Sequence, residues 1–305
     1  MNLISMKNTT TIRQPDKTTI GLIGPFGYGN LGDAAIQQSM IQNIRIQCPE
    51  AQIYGFSLNP EDTFIRHGIT SFPIGRMAKD GWLESETNGS RFQTFLKRYN
   101  TFRSRSSKLF RILDVVAIRP MIELMGLIHT SQHLTGMDYL IVSGGGQLDD
   151  YWGGAFQHPY TLLIWGLLAR IKKVKYLFVS VGAGPLDAFF SKIFDRWALS
   201  LATYRSYRDL ASKIYMEKVG FKHRDDPIYP DLAFSLEKTG YERRLFSDTD
   251  GQLVIGIGPM DYFDPRVWPE RDQKVYDRYL CKLAAFTAWL IQRGEKVLLF
   301  TGEAV

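Results

Sequence analysis

Several things are scarce in this chain of 305 residues, and each scarcity removes a class of protein. Only Cys48 and Cys281 are present, far apart and without the paired spacing of a zinc or redox motif, so a disulfide framework is excluded and a reducing cytosol fits. Long apolar runs are missing as well. The nearest, Ile112 to Ile128, is broken by Asp114, Arg119, Pro120 and Glu123, which argues against a membrane span. Residues 1–17 are polar and threonine-rich with no continuous apolar core, the signature of a disordered leader rather than a secretion signal. Histidine offers five scattered positions, and His129 with His133 at i, i+4 lacks a glutamate or third ligand, so no metal centre is expected. The charge is not extreme either. A net +6 with a pI near 9.1 suits an anionic ligand as much as a nucleic acid.

What is present is a repeated alternation of short apolar runs and helical periodicity. Thr18 to Gly24 reads as a strand, Ala34 to Gln47 as a helix with apolar residues at Ala35, Ile36, Met40, Ile41 and Ile44, and Ile53 to Leu58 as a second strand. The rhythm lapses between Pro60 and Gly136. It resumes with strands at Tyr139 to Ser143, Tyr176 to Val181 and Thr203 to Arg208, interleaved with helices at Tyr160 to Ile171, Ser191 to Ala202 and Leu210 to Val219. Such alternation predicts a parallel sheet covered on both faces. A charged stretch, 237–252, reads as a linker, after which Leu253 to Gly258, Asp272 to Arg293 and Lys296 to Phe300 open a second β-α-β unit. The expected organisation is therefore an α/β chain of two Rossmann-like domains, 18–236 with a basic helical insertion near 88–136, and 253–305, the second incomplete.

Glycine-rich turns follow three of these strands. Gly24 to Asp33 contains a literal G-x-G-x-x-G at Gly27, Gly29 and Gly32, between strand and helix. The acid that a dinucleotide ribose requires is missing from the end of the second strand, where Ser57, Leu58 and Asn59 stand, and Asp33 puts a carboxylate where a pyrophosphate would lie. Asp33 is open to two readings, helix N-cap or cleft carboxylate. Gly144, Gly145 and Gly146 with Gln147 to Asp150 form the second turn, and Gly182 and Gly184 the third. These glycines either offer backbone N–H groups to a ligand in the crevice at the strand ends or allow close helix packing. Arg208-Asp209 opens a helix and can pair with a carboxylate or phosphate, or simply cap that helix and pair with its neighbour. His158 is the one histidine near this presumed cleft.

The string Gly27-Tyr28-Gly29-Asn30-Leu31-Gly32-Asp33 followed by Ala35-Ile36 resembles the opening motif of the polysaccharide pyruvyl transferase family. The Gly144–Gly146 turn with its following acid, the Gly182–Gly184 turn, Arg208-Asp209-x-x-Ser212 and Pro230-Asp231-Leu232 are similar to later elements of the same family. The resemblance implies a two-domain fold similar to GT-B and transfer of pyruvate from phosphoenolpyruvate, as a ketal, to a sugar of a cell-surface glycan. Phosphoenolpyruvate is then the donor substrate, with no cofactor, and a glycan or lipid-linked glycan the acceptor. It implies substrate-binding roles for Gly29, Asn30, Gly144, Gly145, Gly146, Gly182, Gly184 and Arg208, and catalytic roles for Asp33, Asp149 and His158. An Arg and His pair that completes the donor site in the family would lie beyond Val305, so the expectation is a fragment or shortened homologue with weak or no transfer activity. A nucleotide-sugar glycosyltransferase and a non-catalytic glycan-assembly protein are the alternatives of other classes.

One stretch stands apart. Between Arg91 and Arg119 eight basic residues face a single acid, Asp114, with Phe92, Phe95, Leu96, Tyr99, Phe102, Leu109 and Phe110 interleaved. That is the pattern of a basic amphipathic helix on an anionic membrane, which would place the protein at the inner face of a membrane; no nucleic-acid-binding motif accompanies it. A solvated helix face is the other reading.

Overall fold

The computed structural model describes residues 17–27, 29–75, 119–151, 153–237, 253–268 and 270–302. The leader, most of the basic stretch and nearly all of the expected linker lie outside the described residues.

Hydrophobic strands buried on both faces need crossover helices, and the chain supplies them in order. Strand β1 (Thr19–Ile23) leads into α1 (Leu31–Gln47), β2 (Gln52–Ser57), α2 (Pro60–His67) and β3 (Thr70–Pro73). After the undescribed stretch come α3 (Arg119–Thr130), a 3-10 turn, β4 (Tyr139–Ser143), β5 (Gly146–Leu148) and α4 (His158–Ile171). Then follow β6 (Lys175–Ala183), α5 (Phe189–Leu201), β7 (Tyr204–Tyr207) and α6 (Leu210–Val219). These strands form one seven-stranded parallel sheet in the order β3-β2-β1-β4-β6-β5, with β7 also on β6. A second parallel pair, β8 (Val254–Ile257) and β9 (Lys296–Leu299), is joined by α7 (Gln273–Gln292).

Side chains alternate across the sheet as a strand's period of two requires. Ile20, Leu22 and Ile141 point to the face that α1 covers with Met40 and Ile41. Ile23, Leu140 and Val142 point to the other face, where Leu127 of α3, Leu162 and Trp165 of α4 and Ala198 and Leu199 of α5 close the larger core. Trp165 anchors that side, its ring 4.7 Å from Phe56 and its Nε1 donating to the Ile74 carbonyl at 2.7 Å.

Among the described residues the strands and helices expected on either side of the basic stretch appear within a few residues of their bounds, and the α/β class with a parallel sheet is what the chain adopts. Three elements lay in the lapse or inside a glycine turn and were not expected: α2, β3 and the three-residue strand β5. Helix α1 begins before Ala34, at Leu31, because Asn30 caps it by accepting from the N–H groups of Gly32 at 2.8 Å and Asp33 at 3.2 Å. Among the described residues no helix is long and apolar enough to cross a membrane.

One core residue breaks the pattern. Asp195 of α5 is fully buried against α4, and neither carboxyl oxygen has a hydrogen-bond partner in the structure. Burial first, then the charges of Asp149 and Asp150, holds its carboxyl protonated far above the usual carboxylate range. A carboxyl that keeps its proton more tightly folded than unfolded contributes stability at acid pH that is lost as pH rises through the folded value. Asp195→Asn is therefore expected to match the wild type near about pH 4 and to exceed it at about pH 8. Urea unfolding at the two pH values checks this, and parallel pH profiles would contradict it.

Candidate functional site

Strand β1 runs on to β2 on one side, whereas its neighbour β4 runs on to β6 on the other, so the loops after β1 and β4 diverge and leave a crevice between them. Crevices of this kind, at the carboxyl ends of parallel strands where the order reverses, are where open α/β sheets bind ligands. Both of the first two glycine turns open here.

Asp33 stands in the first turn of α1, and because Asn30 takes the capping role, its carboxylate is left to the crevice. A Cβ on Gly145 would meet Asp33 Oδ1 at 3.7 Å, which places the two turns side by side. Burial, reinforced by Asp231 and Asp149 and opposed by Arg208, lifts the Asp33 carboxyl to about 6. Asp149, at the end of β5, is likewise raised by burial; the Tyr151 N–H at 3.2 Å to its Oδ1 opposes the shift. Asp33, Asp149 and Asp231 thus lie within electrostatic reach of one guanidinium.

That guanidinium belongs to Arg208, which follows β7. Its Nε lies 3.4 Å from Asp209 Oδ2 and its Nη1 3.5 Å from Asp231 Oδ2. Charge-assisted bonds are normally shorter, about 2.7–2.9 Å, so neither carboxylate claims it fully. Asp209 is engaged elsewhere: its Oδ1 accepts from the Ser212 N–H at 2.6 Å as the cap of α6, and that bond pulls its own carboxyl below the usual range. Arg208 is left with donors for an anion.

Position 182 explains how the side chain comes to lie here. A Cβ at Gly182 would sit 2.4 Å from Arg208 Nε and 2.6 Å from Cζ, so the arginine lies flat against bare backbone. A kink in β6 sets the distance. Ser180 adopts φ 51°, rare for a residue with a side chain, the β6–β7 register shifts between Phe178 and Val181, and the Ser180 N–H donates to Ser206 Oγ at 2.9 Å.

The glycine turns work differently from expectation. The amide of Gly144 donates to the Val179 carbonyl at 2.8 Å, that of Gly182 to Gly145 at 2.7 Å and that of Gly184 to Leu148 at 2.9 Å. These three are consumed in the sheet and are not donors to a ligand. What the glycines give is room: Gly182 for Arg208, and Gly184 for Asp149, whose Cβ would be 3.1 Å from an added methyl. Gly144 and Gly145 also hold positive φ, 55° and 69°, where a side chain is strained.

His158 begins α4 and its Nε2 lies 2.9 Å from Gln147 Oε1, so a neutral ring donates there. Burial keeps it neutral by lowering its pKa to about 4. The structure thus ties His158 to the Gln147 side chain behind the Gly144–Gly146 turn. Sequence reasoning missed Asp150, whose Oδ1 and Oδ2 accept from the N–H groups of Asp187 and Ala188 and from Ser191 Oγ at 2.6 Å, fastening the Asp149 loop to the start of α5. Its only sequence signal was its place beside Asp149. Asp231 had been noted only as part of a motif; its weight in the site comes from its distance to Arg208. Gly29, at φ 83°, keeps its place in the turn before Asn30.

A family model for polysaccharide pyruvyl transferase matches residues 30–304, nearly the whole chain, and so takes in every residue of this crevice after Gly29. The chain belongs to the polysaccharide pyruvyl transferase family. This member of the family has no match among curated protein sequences. Among solved structures it is similar to a UDP-N-acetylglucosamine 2-epimerase at 11% identity and TM-score 0.44, covering 81% of this chain and 58% of that one. The UDP-GlcNAc 2-epimerase of Methanocaldococcus jannaschii follows at 12% and 0.43, covering 93% and 65%. A lipopolysaccharide outer core galactosyltransferase, WaaB, is similar at 12% and 0.43, covering 93% and 68%. This chain thus spans less than two thirds of the epimerase chains it matches.

Proposed function

We propose that this member of the family binds phosphoenolpyruvate in the crevice between the loops after β1 and β4, and transfers its three-carbon unit to two hydroxyls of a glycan sugar. The observation that carries the reading is Arg208 laid over Gly182 with incompletely paired donors, in the field of Asp33 and Asp149, whose protons are held unusually tightly. A guanidinium there suits the carboxylate or phosphate of the donor.

The chemistry balances as follows. The enol carbon C3 takes a proton, one sugar hydroxyl adds to C2 and gives up its proton, phosphate leaves with the C2–O electron pair, and a second hydroxyl adds to C2 to close the ketal, its proton passing to the departing phosphate. Such a sequence needs an acid and a base. Asp33, which holds its proton to about pH 6, serves as a proton donor, and Asp149 orients the acceptor hydroxyl. His158 acts through Gln147, keeping the Gly144–Gly146 turn in place. The acceptor is a glycan or lipid-linked glycan, and the reaction calls for no cofactor.

Calorimetry with phosphoenolpyruvate and with a nucleotide sugar, followed by phosphate release in the presence of a glycan acceptor, tests this. Saturable phosphoenolpyruvate binding and acceptor-dependent phosphate are expected. Binding of the nucleotide sugar alone would replace the reading with a glycosyltransferase, and binding of neither with a non-catalytic role.

A further inference from the structure

Helices α3, α4 and α5 lie side by side on the face of the sheet opposite α1, α4 packing against both of its neighbours. Each buries one side in the larger core and turns large apolar residues outward. On α3 these are Met121, Met125 and Ile128, at i, i+4 and i+7, with Met121 62% exposed. On α4 they are Leu167 and Ile171, the latter 73% exposed. On α5 they are Phe189, at 72%, Phe190 and Trp197, at 58%. Phe189 and Phe190 are the outer end of a chain of rings that runs inward through Phe194 to Tyr160 and Phe156, with centroids 5.6–6.0 Å apart. Single exposed hydrophobics mean nothing; rows of them on three adjacent helices do.

The charges on this layer are mostly of one sign. Arg170, Lys172 and Lys173 are exposed at the carboxyl end of α4, and Lys192 and Arg196 lie on α5 beside the aromatic row. Helix α4 has no acid and the one acid of α5 is the buried Asp195; Glu123 in the sequence of α3 and Asp187 before α5 are the exceptions. We propose that the outer side of the α3–α4–α5 layer is a docking surface for an anionic lipid bilayer, with Phe189, Phe190, Trp197 and Ile171 entering the interface and the lysines and arginines meeting headgroup phosphates.

Two other occupants fit less well. A second copy of this chain would set these cations against one another, and like charges across an interface are costly. The basic segment that precedes Arg119 in the sequence carries the same sign, so folding it onto the layer would meet the same repulsion. Apolar and aromatic side chains rimmed by lysine and arginine are what interfacial helices present to anionic membranes. The proposal does not rest on phosphoenolpyruvate chemistry. It adds that an acceptor carried on a lipid would be met at the membrane.

Flotation of the full chain with phosphatidylcholine vesicles, with and without phosphatidylglycerol, is the test. The chain is expected to float with the anionic vesicles only, and less so as salt rises. Phe189→Ser with Phe190→Ser should lower the partition coefficient roughly tenfold. Trp197→Ser and Lys172→Glu with Lys173→Glu should lower it too, and because these side chains are exposed the last pair keeps the test decisive if the first misfolds. Failure of the wild type to float, or unchanged binding in all three variants, would overturn the proposal, the latter moving the contact to the basic segment. A wild-type dimer that becomes a monomer in Phe189→Ser with Phe190→Ser would also overturn it in favour of self-association. Phosphoenolpyruvate binding measured on the same variants should be unchanged, which separates this proposal from the reading of the crevice.

Discussion

Arg208→Ala is expected to weaken phosphoenolpyruvate binding by roughly ten- to a hundredfold, the loss of one or two charge-assisted bonds, while thermal stability barely changes. The asymmetry follows from the geometry. The contacts of Arg208 to Asp209 and Asp231, at 3.4 and 3.5 Å, are too long and too exposed to hold the fold together. Lysine at 208 should recover only part of the affinity, because it lacks the planar fork. Gly182→Ala supplies an independent check: a methyl 2.4 Å from Nε must push the flexible guanidinium aside without disturbing the sheet. Its expected phenotype is that of Arg208→Ala in a stable protein. Calorimetry and thermal melts on the three variants read this out, and full affinity in Arg208→Ala would remove the arginine from the donor site.

Asp33→Asn should separate stability from function. The folded carboxyl titrates near 6 against about 3.9 in an unfolded chain, so it contributes stability at acid pH that is lost as pH rises through 6. Relative to the asparagine variant, the wild type is expected to lose up to about 3 kcal/mol between pH 4 and pH 8. Ligand binding should depend on pH in the same direction. A phosphate arriving beside Arg208 adds negative charge near Asp33 and raises its proton affinity further, so wild-type binding weakens as pH passes 6. The ligand phosphate titrates in the same range, about pH 6, and comparison with Asp33→Asn cancels that contribution. Identical pH dependence of binding in the two proteins would mean that Asp33 does not face the donor, and greater transfer activity in Asp33→Asn would end its role as proton donor.

Periodicity carried most of the fold. The helix from Leu210 to Val219 was readable to the residue because Asp209 and Gly220 bracket it with a cap and a left-handed stop, φ 99°. Helix α2 escaped because its eight residues alternate charge and apolar groups too briefly to show a stripe, although Asn59 and Gly68 mark its ends. Strand β5 hid inside a glycine turn that looked like a loop. The site was legible as a set of motifs and not as a mechanism. Three glycines suggest amides aimed at a ligand, whereas the structure spends those amides on neighbouring strands and uses the missing side chains as space. Asp33 resembled a helix cap because aspartate at a helix start usually is one; only the geometry of Asn30 shows that the position was already taken. The raised pKa values of Asp33, Asp149 and Asp195 could not be read from sequence, since the burial and neighbouring charges that raise them arise only when separate segments fold together.

The first helical amide of α1, on Leu31, donates at 2.8 Å to the carbonyl of Gly302, just past β9. The segment after β9 therefore latches the helix that carries Asp33, two residues along. Any ligand that draws Asp33 or its helix start toward itself must act with or against that latch, and by linkage the latch must then strengthen or weaken the ligand to the same degree. The Gly302 peptide group would in this sense bear on the affinity of the crevice without touching a ligand.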